Sequence, residues 1–416
     1  MKRSLKLLKL ISVLLLLPLL VSCKVKEDTN NCVIFDTNGG NSLSKICVSN
    51  GFQVLTLPTP KKNNFVFEGW YDEEDVLVEA PFIFEWDTNI ILYAKWSEEV
   101  TIGTEGLVYE LSGDNYIVKS YSGTAINVNI PSVYNKKNVV GIGYLAFNGN
   151  TVVTSIGIPS SVQSIDDYAF YGCIKLTNVI IYGGLTRIGM SAFAGCTGIK
   201  DMILPSSLTT IENNAFDGCK GLVSIKIQGS LTRLGNKSFA NCTSLQSITI
   251  PISAISMGDL VFEGCTSLTS VIFSTTPSVL TSLGNWVFKG CTSLTDIIIP
   301  ISVTSVGEGT FYECASLKNI IIPSSVTKIS SWTFYHCTSL TDITIHRNIN
   351  NLGISAFEGC SALTRIVVPV NVLNVEDYAF RNCNKLTIYS EAHSKPNSWS
   401  SYWNSSNCPV IWNYAE

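Results

Sequence analysis

Phenylalanine stands at positions 147, 170, 193, 216, 239, 262, 288, 311, 334, 357 and 380 of this 416-residue chain, at a constant step with one exception. The exception is the interval from Phe262 to Phe288, which is longer than the others by three. Three positions after each Phe comes a cysteine, Cys173, Cys196, Cys219, Cys242, Cys265, Cys291, Cys314, Cys337, Cys360 and Cys383, with Asn150 in the first place. A fixed period of this length marks a repeat array. One such unit cannot bury its apolar side alone, whereas stacked units bury it continuously.

The unit around Phe216 shows the pattern. Ile211, Ala215, Cys219 and Leu222 step by four, four and three, which predicts a helical face of three turns or fewer. The period then drops to two: Ile225 and Ile227 point one way, Ser224 and Lys226 the other, as in a short strand. Proline follows the strand at 159, 205, 251, 300, 323 and 369, where its fixed φ and missing donor end the ladder. The expected fold is a solenoid with a parallel β-sheet on one side and short helical or 3₁₀ turns on the other.

The register Cys-x-x-Leu-x-x-Ile-x-Ile-Pro followed by Val-x-x-Ile-x-x-x-Ala-Phe resembles the BspA-like, or Treponema-type, leucine-rich repeat. The resemblance implies a leucine-rich-repeat solenoid over residues 128–389, and an adhesion or recognition role toward macromolecules. The array departs from the pattern at Ser274-Thr275-Thr276-Pro277, which carries the three extra residues, and at Gly184 and Gly229, where other repeats have Pro nearby. Residues 105–127 read as an N-terminal cap, a hairpin from Leu107 to Val118 turning at Ser112-Gly113-Asp114-Asn115. Residues 390–416, with Trp399, Trp403 and Trp412, read as a C-terminal cap. An uncovered last repeat would expose an apolar face and a strand edge, so capping is preferred there over a glycan platform.

Residues 32–97 form a separate small β module. Val33-x-Phe35-x-x-Asn38-Gly39-Gly40, Pro58-x-Pro60, Phe65-x-Phe67-x-Gly69-Trp70-Tyr71 and Leu92-Tyr93-Ala94-Lys95-Trp96 resemble one internalin-type B-repeat, the Listeria–Bacteroides repeat. That resemblance implies a β-grasp-like fold used as a spacer on bacterial surface proteins. Trp70 and Trp96 have a sugar-stacking reading, but so small a module needs its largest hydrophobes inside. Cys32 and Cys47 are candidates for a disulfide across neighbouring strands in an exported chain.

The chain opens on an address. Lys2, Arg3, Lys6 and Lys9 precede an apolar run from Leu10 to Leu20, too short to span a bilayer, as in a secretory signal over residues 1–22. Leu20-Val21-Ser22-Cys23 looks like a bacterial lipobox, which implies lipid attachment at Cys23 and a tether over 23–31. Without the leader, 24 basic residues face 32 acidic ones, so an acyl group rather than surface charge is the expected membrane anchor. The full chain carries a net −4, and no basic run lies outside its first nine residues, which argues against a nucleic-acid partner.

Chemistry is scarce. No Cys-x-x-Cys occurs, and stacked cysteines in parallel rungs have side-chain vectors that do not converge, so the ladder reads as small buried hydrophobes rather than zinc ligands or disulfides. Cys408 is left without a role. His336, His346 and His393 come with no triad, metal motif or phosphate loop. No catalytic residue, metal, cofactor or small-molecule substrate is expected.

Seven positions beyond each ladder residue from Asn150 to Cys360 lie Gly157, Ile180, Ile203, Lys226, Thr249, Ile272, Ile298, Ile321, Thr344 and Val367. Two positions earlier are Ser155, Asn178, Asp201, Ser224, Ser247, Ser270, Asp296, Asn319, Asp342 and Arg365. The sheet should therefore show an aliphatic stripe beside a polar one. β-branched residues suit strands even when exposed, and a long apolar stripe also suits a contact surface; the stretch from Ile272 to Ile321 is the best candidate. Two functions follow: a lipid-anchored surface protein recognising a host or neighbouring-cell protein or matrix, or a passive, self-associating component of the cell envelope.

Overall fold

The computed structural model describes residues 31–62, 65–85, 88–98, 103–274 and 278–415. The leader and Cys23 lie outside the described residues, as do residues 275–277 of the longer loop. The chain divides into two compact units.

The small module is a five-stranded sheet in the order Ile46–Val48, Asn31–Asp36, Ile90–Glu98, Phe65–Tyr71, Leu77–Val78. Its first and last long strands run parallel, with Val33 opposite Ile90. Val33, Phe35, Trp70, Phe84, Leu92 and Ala94 form the core. Trp70 is in that core, its Nε1 donating to the Pro58 carbonyl at 2.7 Å and its ring 4.8 Å from Phe35. Trp96 stops at half-burial, edge-on to Phe67, so the expectation of a fully interior ring fails for it. Cys32 and Cys47 are direct partners in an antiparallel pair and are joined by a disulfide.

In the array, each repeat contributes one rung to two parallel ladders. The first ladder pairs equivalent positions of successive repeats: Asp201 with Ser224, Met202 with Ile225, Ile203 with Lys226, Leu204 with Ile227. It runs as seven hydrogen-bonded strands from Asp201–Leu204 to Asp342–Ile343. Three strands precede it (Asn127–Asn129, Ser155–Ile158, Asn178–Ile181) and three follow (Arg365–Val368, Thr387–Ser390, Val410–Ile411). The second ladder is built of two-residue strands such as Thr210–Ile211. It runs without a break to Ser305–Val306 and resumes at Lys328–Ile329.

No helix occurs among the described residues, which corrects the expected helical turns. Ile211 belongs to a strand, and the residues after it form a chain of turns. The reason lies in the destination of the amides. Ala215, Asp217 and Cys219 donate three positions back, to Glu212, Asn214 and Phe216. The intervening Asn214, Phe216 and Gly218 instead donate sideways, to Asn236, Ser238 and Ala240 of the next repeat, each at 2.8 Å. A helix would keep all of these bonds to itself. Asn214 (φ 56°) and Gly218 (φ 71°) adopt left-handed backbone that makes the alternation possible.

Inside, the eleven phenylalanines stack with centroids 4.9–5.7 Å apart. Burying a side chain of this size is worth roughly 1.5–3 kcal/mol. The longer step keeps the spacing, 5.6 Å between Phe262 and Phe288, so the three extra positions, which fall in sequence between Ser270–Phe273 and Ser282–Leu283, leave the ring stack in step. At the start, the hairpin Leu107–Ser112/Asn115–Tyr121 joins the second ladder beside Lys137–Ile142, and Tyr121 stacks on Phe147. At the end, Trp403 packs edge-on to Phe380, and Trp399 donates its Nε1 to the Val372 carbonyl.

Candidate binding face

Strand alternation sets the face. In Asp201–Leu204, Met202 and Leu204 are buried while Asp201 and Ile203 are exposed. The stripe expected from the seven-position count lies on the outside for most of its length. Ile180, Ile203, Lys226, Thr249, Ile272, Ile298, Ile321 and Thr344 are exposed, and Ile298 and Ile321 lead at 81% and 79%. Two members depart. Val367 is half-buried, and Gly157 is buried because the Asn129 side chain occupies the space a Cβ there would need.

Ladder pairing extends the stripe past the counted positions, since Val367 pairs with Tyr389 and Tyr389 with Ile411. The count misses these two because the step shortens by one between Arg365 and its partner Thr387. A signal for the extra rung was present elsewhere: Trp403 stands one full repeat after Phe380, in the Phe place. Cys408 belongs to that rung too. It is buried, with Sγ 3.4 Å from the Cys383 carbonyl.

The polar column is as expected, with Ser224 Oγ donating to Asp201 at 2.6 Å. At its far end the Arg365 guanidinium lies near the rings of Tyr389 and Tyr414 and donates to the Tyr414 hydroxyl at 2.8 Å. Cation–π contacts of this kind hold the last rungs to the face.

The cysteines sit on the interior side. Each of the ten ladder thiols donates to the Phe carbonyl of the preceding repeat at 3.0–3.2 Å. That carbonyl already accepts a backbone amide from its own turn, as Phe193 does from Cys196, so the thiol fills its second lone pair. Burial pushes Cys219 and Cys383 up to about 12, which keeps them neutral donors. Among the described residues no group of three or more His, Cys, Asp or Glu is placed to hold a metal ion. His346 Nε2 lies 3.0 Å from the Pro323 carbonyl, and His393 is exposed well away in the chain. Among the same residues no helix is long and apolar enough to cross a membrane.

The fold and this face define a leucine-rich-repeat solenoid that carries a small β module. The profile of the BspA type leucine rich repeat region matches in six copies over residues 124–243, 192–279 and 269–387, and that of the Listeria-Bacteroides repeat domain matches residues 32–95. The chain belongs to the BspA-type leucine-rich-repeat family. It is similar to a leucine-rich repeat protein from Bacteroides ovatus ATCC 8483, at 26% identity over 74% of this chain and 98% of that one, TM-score 0.48. It is also similar to a leucine rich cell surface protein from Faecalibacterium prausnitzii A2-165, at 22% identity over 76% of this chain and 98% of that one, TM-score 0.42. Two proteins of Evansella cellulosilytica, one named as a Gly-rich membrane protein and one as a membrane protein, match at 31% and 33% identity over 24% of this chain. The match spans only 11% and 15% of those two relatives' length.

Proposed function

We propose that the protein is a cell-surface lipoprotein, anchored through Cys23, that recognises a host or neighbouring-cell macromolecule with the first ladder's outer face. The observation that carries this reading is the unbroken exposed run Ile272, Ile298, Ile321 on a hydrogen-bonded parallel sheet. A contiguous exposed apolar patch usually marks an interaction site, and a sheet backbone fixes the spacing of its side chains before any partner arrives, which lowers the cost of binding. The mechanism is multipoint contact rather than chemistry.

The test is the chain with Ile298→Lys and Ile321→Lys. Loss of binding to cells or matrix proteins, with circular dichroism unchanged, supports the face; unchanged binding sinks it. Cys23→Ser should move the protein out of the membrane fraction or leave its precursor unprocessed, and normal lipid labelling of that variant would refute the anchor.

A further inference from the structure

Trp286, Gly309 and Trp332 occupy the left-handed position two before Phe in successive repeats, with φ 59°, 55° and 57°. An added Cβ at Gly309 would run into Cε3, Cζ3 and Cδ2 of the Trp286 indole, three ring carbons in a row, so the indole lies face-down across the glycine. The Trp332 ring is inclined to it by only 25°, with centroids 5.9 Å apart. Tyr312 abuts Trp286 edge-on at 5.3 Å and stacks on Tyr335 at 4.5 Å. These four rings are half-buried and lie on the wall of turns, not on either ladder. We propose that this wall is a carbohydrate-binding platform, which takes a flat chain of β-linked, equatorially substituted pyranose units laid along the stack from Trp286 to Trp332. The site is independent of the first ladder's face.

Backbone and order both point to a ligand rather than to packing alone. Left-handed backbone favours Gly and Asn, so a bulky indole is the costly choice there, and such cost gathers at functional sites. Two indoles nevertheless stand half-exposed in this column, with a glycine between them that lets the first lie flat. Their places are also fixed in advance. The amides of Trp286, Gly309 and Trp332 donate to Glu308, Ser331 and Ile354 of the next repeat at 2.7, 2.9 and 2.8 Å, so the rings are oriented before any ligand arrives.

The chemistry selects the ligand. An aromatic face is the negative side of a quadrupole, and a pyranose with equatorial hydroxyls offers it the positive ends of axial C–H bonds. The rim is polar. Asn285, Glu308 and Glu313 are exposed, and Lys289 Nζ lies 5.9 Å from the Trp286 ring centroid while it pairs with Glu263 at 2.9 Å. These groups supply the donors and acceptors that ring-edge hydroxyls need. Rungs recur about every 4.8 Å, close to the length of one pyranose unit, so chain and rungs keep step. A proline-rich segment also packs on aromatic rings, but in a groove; here the indole lies flat against its wall.

The experiment titrates the full chain with cellohexaose, read by tryptophan fluorescence and calorimetry, beside maltohexaose, whose α-linkages coil the chain, and a proline-rich peptide. The expected result is saturable binding of cellohexaose, with maltohexaose and the peptide far weaker. Trp286→Ala with Trp332→Ala should weaken that binding by about tenfold or more. Gly309→Ser keeps both indoles but puts a Cβ where the first one lies, and it should weaken binding too. The array accepts that side chain, since Ser355 holds the same position at φ 51°. The Ile298→Lys, Ile321→Lys chain should bind cellohexaose as the unsubstituted chain does; loss there would move the sugar to the first ladder and overturn the platform. So would no saturable binding, equal binding of maltohexaose, preference for the peptide, or undiminished binding by a folded double-alanine chain. If that chain misfolds, Gly309→Ser decides: weaker binding with unchanged denaturant unfolding supports the platform, and unchanged affinity overturns it.

Discussion

The module and the array use cysteine in opposite ways. In the module, Cys32 and Cys47 lie opposite one another on antiparallel strands with Cα atoms 4.0 Å apart, and they are bonded. In the array, eleven cysteines lie buried and all are free. Proximity does not separate the cases, because stacked rungs are about as close, at about 4.8 Å. Direction does. Antiparallel partners point their Cβ atoms at each other from the same face, while stacked residues of a parallel ladder point alongside one another. The module gains a covalent clamp where its core is small; the array gains a column of thiol-to-carbonyl bonds where its core is long.

The comparison is broken most forcefully by alkali. Burial raises the pKa of Cys196, Cys219, Cys242, Cys291, Cys314, Cys337, Cys360, Cys383 and Cys408 on folding, to about 12 for Cys219 and Cys383, from an ordinary value of 9.0. Above pH 9 the unfolded chain therefore gives up protons that the folded chain keeps. Stability of the array should be insensitive to these groups below pH 9 and fall above it, by up to about 1.4 kcal/mol per pH unit for each such thiol until its folded pKa is reached. Urea unfolding from pH 8 to 10.5 measures it. A flat profile for the array would mean that the ladder thiols are not protonated donors, while the module, whose two cysteines do not titrate, should lack this component.

Next in size is Phe216→Ala, which removes one ring from the middle of the stack and should cost about 3–5 kcal/mol in denaturant unfolding, without altering the module. The reciprocal change, Cys32→Ser with Cys47→Ser, opens a loop whose ends are 15 apart in sequence. It should cost the module roughly 3 kcal/mol and leave the array's transition where it was. Smallest is Cys219→Ala, expected to cost about 1 kcal/mol through the lost bond to Phe193. Cys219→Ser, which can still donate, tests whether the hydrogen bond or the sulfur's apolar bulk matters more. If serine is worse than alanine, bulk matters more.

Much of this was legible in the sequence because the interior is periodic. Phe and Cys recur wherever a rung must be filled, so the register of the ladder can be counted without seeing it. The turns were not legible for a physical reason. Ile211, Ala215 and Cys219 have helical spacing, yet whether the Phe216 amide bonds within its own segment or to Ser238 depends on a neighbour in the next repeat. The left-handed position held by Asn214 gave no clue either, since equivalent rungs put Lys237, Leu260, Trp286 and Trp332 there, all at positive φ. The exposed stripe was countable until the step shortened before Tyr389. Gly157 was miscounted as a surface position because Asn129, on the rung before the first counted one, reaches over it.

Where the ladders lapse has a mechanical consequence. The first ladder is interrupted between Ile181 and Asp201 and again between Ile343 and Arg365; the second is interrupted between Val306 and Lys328. At each lapse the opposite wall is intact: Arg187–Ile188 bonds to Thr210–Ile211, Asn351–Leu352 to Asn374–Val375, and Asp296–Ile298 to Asn319–Ile321. The joints are staggered, as in brickwork. Tension along the stack therefore meets at least one bonded course at every level, and a pull that tears one wall is handed to the other before the molecule parts.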